Sequence, residues 1–198
     1  MSEQYDKDPL PMDYASRMAR AKEQGFDVST VWYHGTPNGD IQAFDLTKAN
    51  TNTMAPDPGS RNAVFATKDP SYANAYSRYG EIRDLFDESI GLKPNDVRAA
   101  IYPLMVRGDY KKVELPITSA KIQQAKVEGF EGLTTYKPNE INEIAVFDPS
   151  NIRSTNASFD PRYLNSPKLM GDGPYAVEPE LDDHQNHQFQ DDDFSPGM

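Results

Sequence analysis

The chain has 198 residues, enough for one domain with appendages, and a net charge of −11. Its hydrophobic content of 37% and mean hydropathy of −0.75 fit a folded body with polar ends, and the absence of cysteine excludes disulfides, thiolate metal sites and a cysteine nucleophile. Residues 161–198 hold eight acids against two bases, more than half of the net charge, and no basic stripe exists to follow a nucleic-acid backbone.

Residues 1–11, MSEQYDKDPLP, lack the basic start and apolar core of a secretory leader and are expected to be disordered. A helix is expected over 12–25, capped by Asp13, with Ala15, Met18, Ala19 and Ala21 as a weak apolar face and Gly25 as its stop. A strand follows over 29–33. Residues 37–62 read as a long polar loop with one apolar interruption, Ile41 to Leu46, of a length that suits a lid.

Ala63 to Thr67 reads as a strand. Asp69-Pro70 then opens a helix, with Asp as N-cap and Pro at the first helical position, that carries Tyr72, Ala73, Ala75 and Tyr76. Residues 80–100 read as loop and short helix. Tyr102 to Arg107 is a strand ending at Gly108-Asp109, 118–128 a helix followed by Gly129, and 132–136 and 143–147 are strands. The domain spans 12–160, and 161–198 form an acidic tail without periodicity. Short strands mixed with short helices, without regular βαβ alternation, give the class α+β. No apolar run is long enough for a membrane span, and a cytoplasmic monomer is expected.

Three motifs carry chemistry. The first is Tyr33-His34-Gly35-Thr36. At a strand end, His34 can donate a hydrogen bond to a ligand ribose, and Gly35 lets a ligand approach the backbone because no Cβ intervenes. The plain alternative is a turn histidine beside an ordinary glycine.

The second motif is Phe65 with Tyr76, eleven apart across a strand-to-helix turn. Two such rings can clamp a flat heteroaromatic cation, at roughly 0.5–2 kcal/mol per ring. The plain alternative is core packing, and Tyr72 and Tyr79 compete with Tyr76 for the role. The third is Glu143, opening the apolar strand of Asn142-Glu143-Ile144-Ala145-Val146-Phe147-Asp148. It is either an exposed strand-start acid or a charge held against a developing sugar cation. At about 4 Å and an effective dielectric near 20 that attraction is roughly 4 kcal/mol.

Other chemistries lack parts. His34, His184 and His187 form no ligand cluster, the last two lying in the acidic tail, so no metal is expected. There is no G-x-S-x-G elbow, no phosphate loop and no G-x-G-x-x-G after a strand. Acids are plentiful, but nothing singles out a glycosidase pair.

Taken in order and spacing, the three motifs resemble the ADP-ribosyltransferase superfamily in its histidine–tyrosine–glutamate branch. YHGT at 33–36 is similar to the first motif of diphtheria-toxin-type enzymes, and FATKDPSYANAYS at 65–77 to their second. NEIAVFD at 142–148 is similar to the third motif of poly(ADP-ribose) polymerases. Residues 12–160 resemble still more the transferase domains within polyvalent proteins of phages and mobile elements.

The resemblance implies a split pair of small antiparallel sheets with short helices around them and NAD, as substrate, in the cleft between. It implies that His34 binds the nicotinamide-side ribose and Gly35 the carboxamide, that Phe65 and Tyr76 sandwich the nicotinamide with Tyr72 nearby, that Thr36 touches the adenine side, and that Glu143 is catalytic. Phe65 stands where the family has tyrosine, which keeps the stacking and loses a hydroxyl. Ile141 stands two before Glu143, where the arginine-specific branch has glutamate, so that branch's acceptor is not implied. The function implied is mono-ADP-ribosyl transfer to a host protein or nucleic acid, a toxin- or effector-like role. An NAD glycohydrolase and an inactive NAD-binding or protein-binding module on the same fold are the alternatives.

Overall fold

The structure is a computed structural model that describes residues 10–37, 39–48, 62–84, 99–135 and 142–172. The expectations for 1–9, for 49–61 of the proposed lid, for much of 80–100, for Tyr136 and for 173–198 fall on residues outside those described.

The helices start and stop where local chemistry dictates. Helix α1 (Tyr14–Glu23) is capped by Asp13, whose carboxylate accepts from the Ser16 amide at 3.0 Å, and the chain leaves it through Gly25 at φ 83°. Helix α2 (Pro70–Asp84) begins at Asp69, whose carboxylate takes the amides of Ser71 (2.9 Å) and Tyr72 (3.4 Å). Helix α3 (Ser119–Val127) is capped by Thr118. None of the helices among the described residues is long and apolar enough to cross a membrane.

Among the described residues seven strands follow the chain as β1 (Trp32–Thr36), β2 (Val64–Thr67), β3 (Ala100–Val106), β4 (Tyr110–Val113), β5 (Gly132–Thr135), β6 (Glu143–Val146) and β7 (Ile152–Ser154). They form one sheet in the order β4-β5-β6-β2-β1-β3-β7. The class is α+β, as expected. Where a split pair of antiparallel sheets was expected, the described strands form a single sheet, and β4 pairs with β5 in parallel. The sheet nevertheless has a weak joint. β1 and β2 share only the pair Tyr33↔Thr67, whereas β1 and β3 are paired over five positions and β2 and β6 over four.

Side chains alternate between the two faces. On one face Trp32, Val64, Ala66, Leu104, Val106, Ile144, Val146 and Ile152 form a core, covered by Ile41, Phe44 and Leu46 and by Leu169. On the other, α3 buries Ile122 and Ala125 against Leu133, Ala145 and Phe147, and α1 packs Ala21 near Met105 and Phe159.

Two boundaries needed correction. β1 runs from Trp32 to Thr36 and not over 29–33, because pairing with β3 continues to Thr36↔Ala100. The tail does not begin at 161: Leu169 is 2% exposed in the core, its carbonyl accepts from the Ser154 amide at 2.8 Å, and its amide donates to Gln42. The Tyr163 and Leu164 carbonyls meanwhile accept from buried Arg153. Residues 161–172 therefore belong to the folded body. A carbonyl edge and one leucine tie them down, a signal too sparse for periodicity to detect.

Candidate active site

His34 lies in the middle of β1 beside the weak joint. The Pro103 carbonyl accepts from the Thr155 amide, so the polar edge of Pro103 faces away from β1. In an antiparallel ladder a residue's N–H and C=O point to the same side and alternate along the strand. Tyr33, the partner of Pro103, therefore turns its backbone groups toward β2, and so does Gly35 two residues on. Past Tyr33↔Thr67 the ladder stops, and the Gly35 backbone edge faces the seam between the two halves of the sheet.

The His34 ring bridges that seam. Its Nδ1 lies 2.7 Å from the Phe65 carbonyl oxygen. A carbonyl can only accept, so Nδ1 carries the proton. Burial holds the ring's pKa below its ordinary 6.5, opposed only in part by the Phe65 carbonyl. The imidazole is therefore neutral at pH 7, and its other nitrogen, Nε2, is an acceptor. The expected role as donor to a ribose hydroxyl is reversed: this tautomer takes a hydroxyl's hydrogen. Phe44 meets the ring edge-on, centroids 4.8 Å apart at 77°. Thr36, on the same face as His34, is 6% exposed.

Gly35 is required for a reason other than ligand approach. A Cβ there would stand 1.7 Å from the Ala73 carbonyl oxygen, so α2 occupies that side of the residue. The close approach brings α2 onto β1 and sets Tyr72 and Tyr76, one turn apart, on the face that carries Glu143.

Glu143 opens β6 opposite Thr67. Its amide donates to Thr135 Oγ1 at 2.8 Å, and its carbonyl accepts from Thr134 Oγ1 at 3.3 Å. The side chain is partly buried, and burial raises its pKa above the ordinary 4.5, while a hydrogen bond from Tyr72 pulls it back. Tyr72 Oη donates to Glu143 Oε1 at 3.4 Å and lies 3.0 Å from Tyr76 Oη. The two rings meet edge-on, 5.3 Å between centroids. Burial pushes the Tyr72 phenol far above its usual range, so it remains a neutral donor. Tyr76 is 38% exposed.

The expected residues therefore fall into groups. Tyr72, Tyr76 and Glu143 form one hydrogen-bonded chain. His34 and Phe65 meet at the seam through the Phe65 carbonyl. The Phe65 ring packs against the apolar cluster under α3, and among the described residues no ring contact joins it to Tyr76. Phe44 and Thr135 were not foreseen. Phe44 falls in the apolar interruption of the 37–62 loop, whereas a strand threonine such as Thr135 carries no distinguishing signal.

A groove of about 270 Å³ lies elsewhere, beside β4 and α3, lined by Lys111, Val113, Glu114, Lys121 and Gln124. Its lysines are engaged: Lys121 donates to the Glu114 and Pro116 carbonyls and Lys111 to Glu128. β5 separates it from Glu143. No group of side chains among the described residues could hold a metal ion. Comparison with protein-family models, with curated proteins and with solved structures found no match.

Proposed function

We propose that this chain is an NAD-dependent mono-ADP-ribosyltransferase on an ADP-ribosyltransferase fold. The observation that carries the reading is Glu143: a partly buried carboxylate, held by a phenol, on the strand paired with β2, which borders the seam that His34 bridges. A carboxylate kept out of water, with no cation beside it among the described residues, costs stability and is suited to meeting a positive charge that forms only during reaction.

In this reading NAD lies along the seam. The bond between the ribose anomeric carbon and the nicotinamide nitrogen breaks, and its electron pair leaves with nicotinamide. Positive charge develops on the ribose, and the Glu143 carboxylate stabilises it. An acceptor nucleophile then bonds to the anomeric carbon and loses its proton. An attraction of roughly 4 kcal/mol would accelerate the step about a thousandfold. Nε2 of His34 accepts from a ribose hydroxyl, the backbone edge of Gly35 meets the carboxamide, and Thr36 completes the surroundings. Phe65 and the exposed ring of Tyr76 supply the aromatic surface for nicotinamide. The same order of motifs in phage and mobile-element transferases supports a macromolecule of the host as acceptor.

Incubation with NAD labelled in its adenylate, with and without cell extract, tests the reading. Label on protein or RNA supports transfer. Label appearing only as free ADP-ribose makes water the acceptor and the chain a glycohydrolase. Unconsumed NAD in both arms would leave only a binding module.

A further inference from the structure

The resemblance implies that Tyr72 belongs with the rings near nicotinamide. Its hydrogen bonds point to other work. A phenol has one proton, and that of Tyr72 goes to Glu143 Oε1. The 3.0 Å contact between the two hydroxyls must then be a donation from Tyr76 to Tyr72. The three groups form a directed chain, Tyr76 O–H to Tyr72 O–H to carboxylate, in which each donation strengthens the next. α2 lies close on β1 here, its Ala73 carbonyl against Gly35 where no side chain would fit.

We propose that Tyr72 is a positioning residue for Glu143: its hydroxyl, oriented by Tyr76, fixes the carboxylate's rotamer and favours its ionised form. The chemical part of the inference rests on the reading of Glu143 as the group that stabilises the ribose cation. Burial disfavours the charged carboxylate, and the phenol opposes it. Thr67 faces Glu143 from β2 and Thr135 approaches its amide from β5, and neither titrates. Of the charged residues at the head of α2, Asp69 is bound to Ser71, and Lys68 lies over the Trp32 ring at 5.0 Å. Among the described residues the phenol chain is thus the polar influence on the carboxylate side chain, and the exposed Tyr76 ring remains open to a ligand.

Tyr72→Phe tests this with two measurements on the full chain. First, the Glu143 side-chain carboxyl carbon is followed by NMR through a pH titration without NAD, identified by its loss in Glu143→Gln. The midpoint is expected to move upward in Tyr72→Phe, and upward by less in Tyr76→Phe. Second, nicotinamide release is expected to fall about tenfold in kcat, with NAD affinity within twofold of wild type and the acid limb of the pH profile displaced to higher pH. An unmoved midpoint in a folded Tyr72→Phe overturns the proposal whatever the activity. So does a loss of NAD affinity at unchanged kcat, which would make the Tyr72 hydroxyl a contact of NAD instead. A midpoint shifted in Tyr72→Phe, with a wild type that releases no nicotinamide, upholds the positioning of Glu143 and overturns the proposed reaction instead.

Discussion

Ionising Glu143 costs folding free energy, because burial raises its pKa above the 4.5 of the unfolded chain. The folded state then binds the proton more tightly than the unfolded state. The associated stability is fully present below pH 4.5 and is lost as pH rises through the folded value. Glu143→Gln is therefore expected to melt at a higher temperature than wild type at pH 7, with the gap closing below pH 4.5. Calorimetry at both pH values measures it, and a less stable variant at pH 7 would show that the carboxylate contributes to the fold. His34 has the opposite sign. Its folded pKa lies below 6.5, so its stability contribution is present above 6.5 and is lost as pH falls toward the folded value. His34→Ala should remove that slope and cost about 2 kcal/mol at pH 7, since the Phe65 carbonyl loses its donor and Phe44 loses a ring partner. Chemical denaturation of both proteins at pH 7.5 and 5.5 gives the difference.

α2 is the element on which the site depends, and it packs on β1 with its Ala73 carbonyl against Gly35. Gly35→Ala would push a methyl group into the Ala73 carbonyl, and backbone cannot give way as a flexible side chain can. A loss of about 3 kcal/mol is expected, together with weaker nicotinamide release, because Tyr72 and Tyr76 move with the helix. Unchanged stability in urea would contradict the packing. α2 was legible in the sequence because its start is local chemistry, Asp69 accepting amides with Pro70 behind it, and α1 and α3 were legible for the same reason. β4 and β7 were not. Tyr110–Val113 and Ile152–Ser154 are short, carry lysine or arginine, and exist through pairing with β5 and β3. β1 was displaced because its β-branched and aromatic run ends at Tyr33, while its ladder with β3 extends through glycine to Thr36. Within the site the residues could be named from motif spacing, but the direction of their bonds could not. The acceptor role of His34 and the chain through Tyr72 depend on where two strands part and where one helix sits.

At the scale of the molecule, the seam is covered on the His34 face by residues 41–46, and those are held by the strap around Leu169, through Leu169 to Gln42 and the bridge Ala43↔Lys168. Truncation after Asp160 removes Leu169 and the Leu164 carbonyl that both Arg153 and Arg107 bind, and is expected to cost about 5 kcal/mol, comparable to the whole stability of many domains. Truncation after Asp172 keeps every described contact and should change stability by less than about 0.5 kcal/mol. Equal melting of the two truncated proteins would show that the strap is not part of the fold. The most direct test of the central claim is nicotinamide release from NAD by the full chain and by Glu143→Gln, with NAD binding to each measured by calorimetry. The account predicts release by wild type, a fall of about a thousandfold in the variant, and similar NAD affinity in both. NAD binding without release by the wild type, or release undiminished in Glu143→Gln, would contradict it.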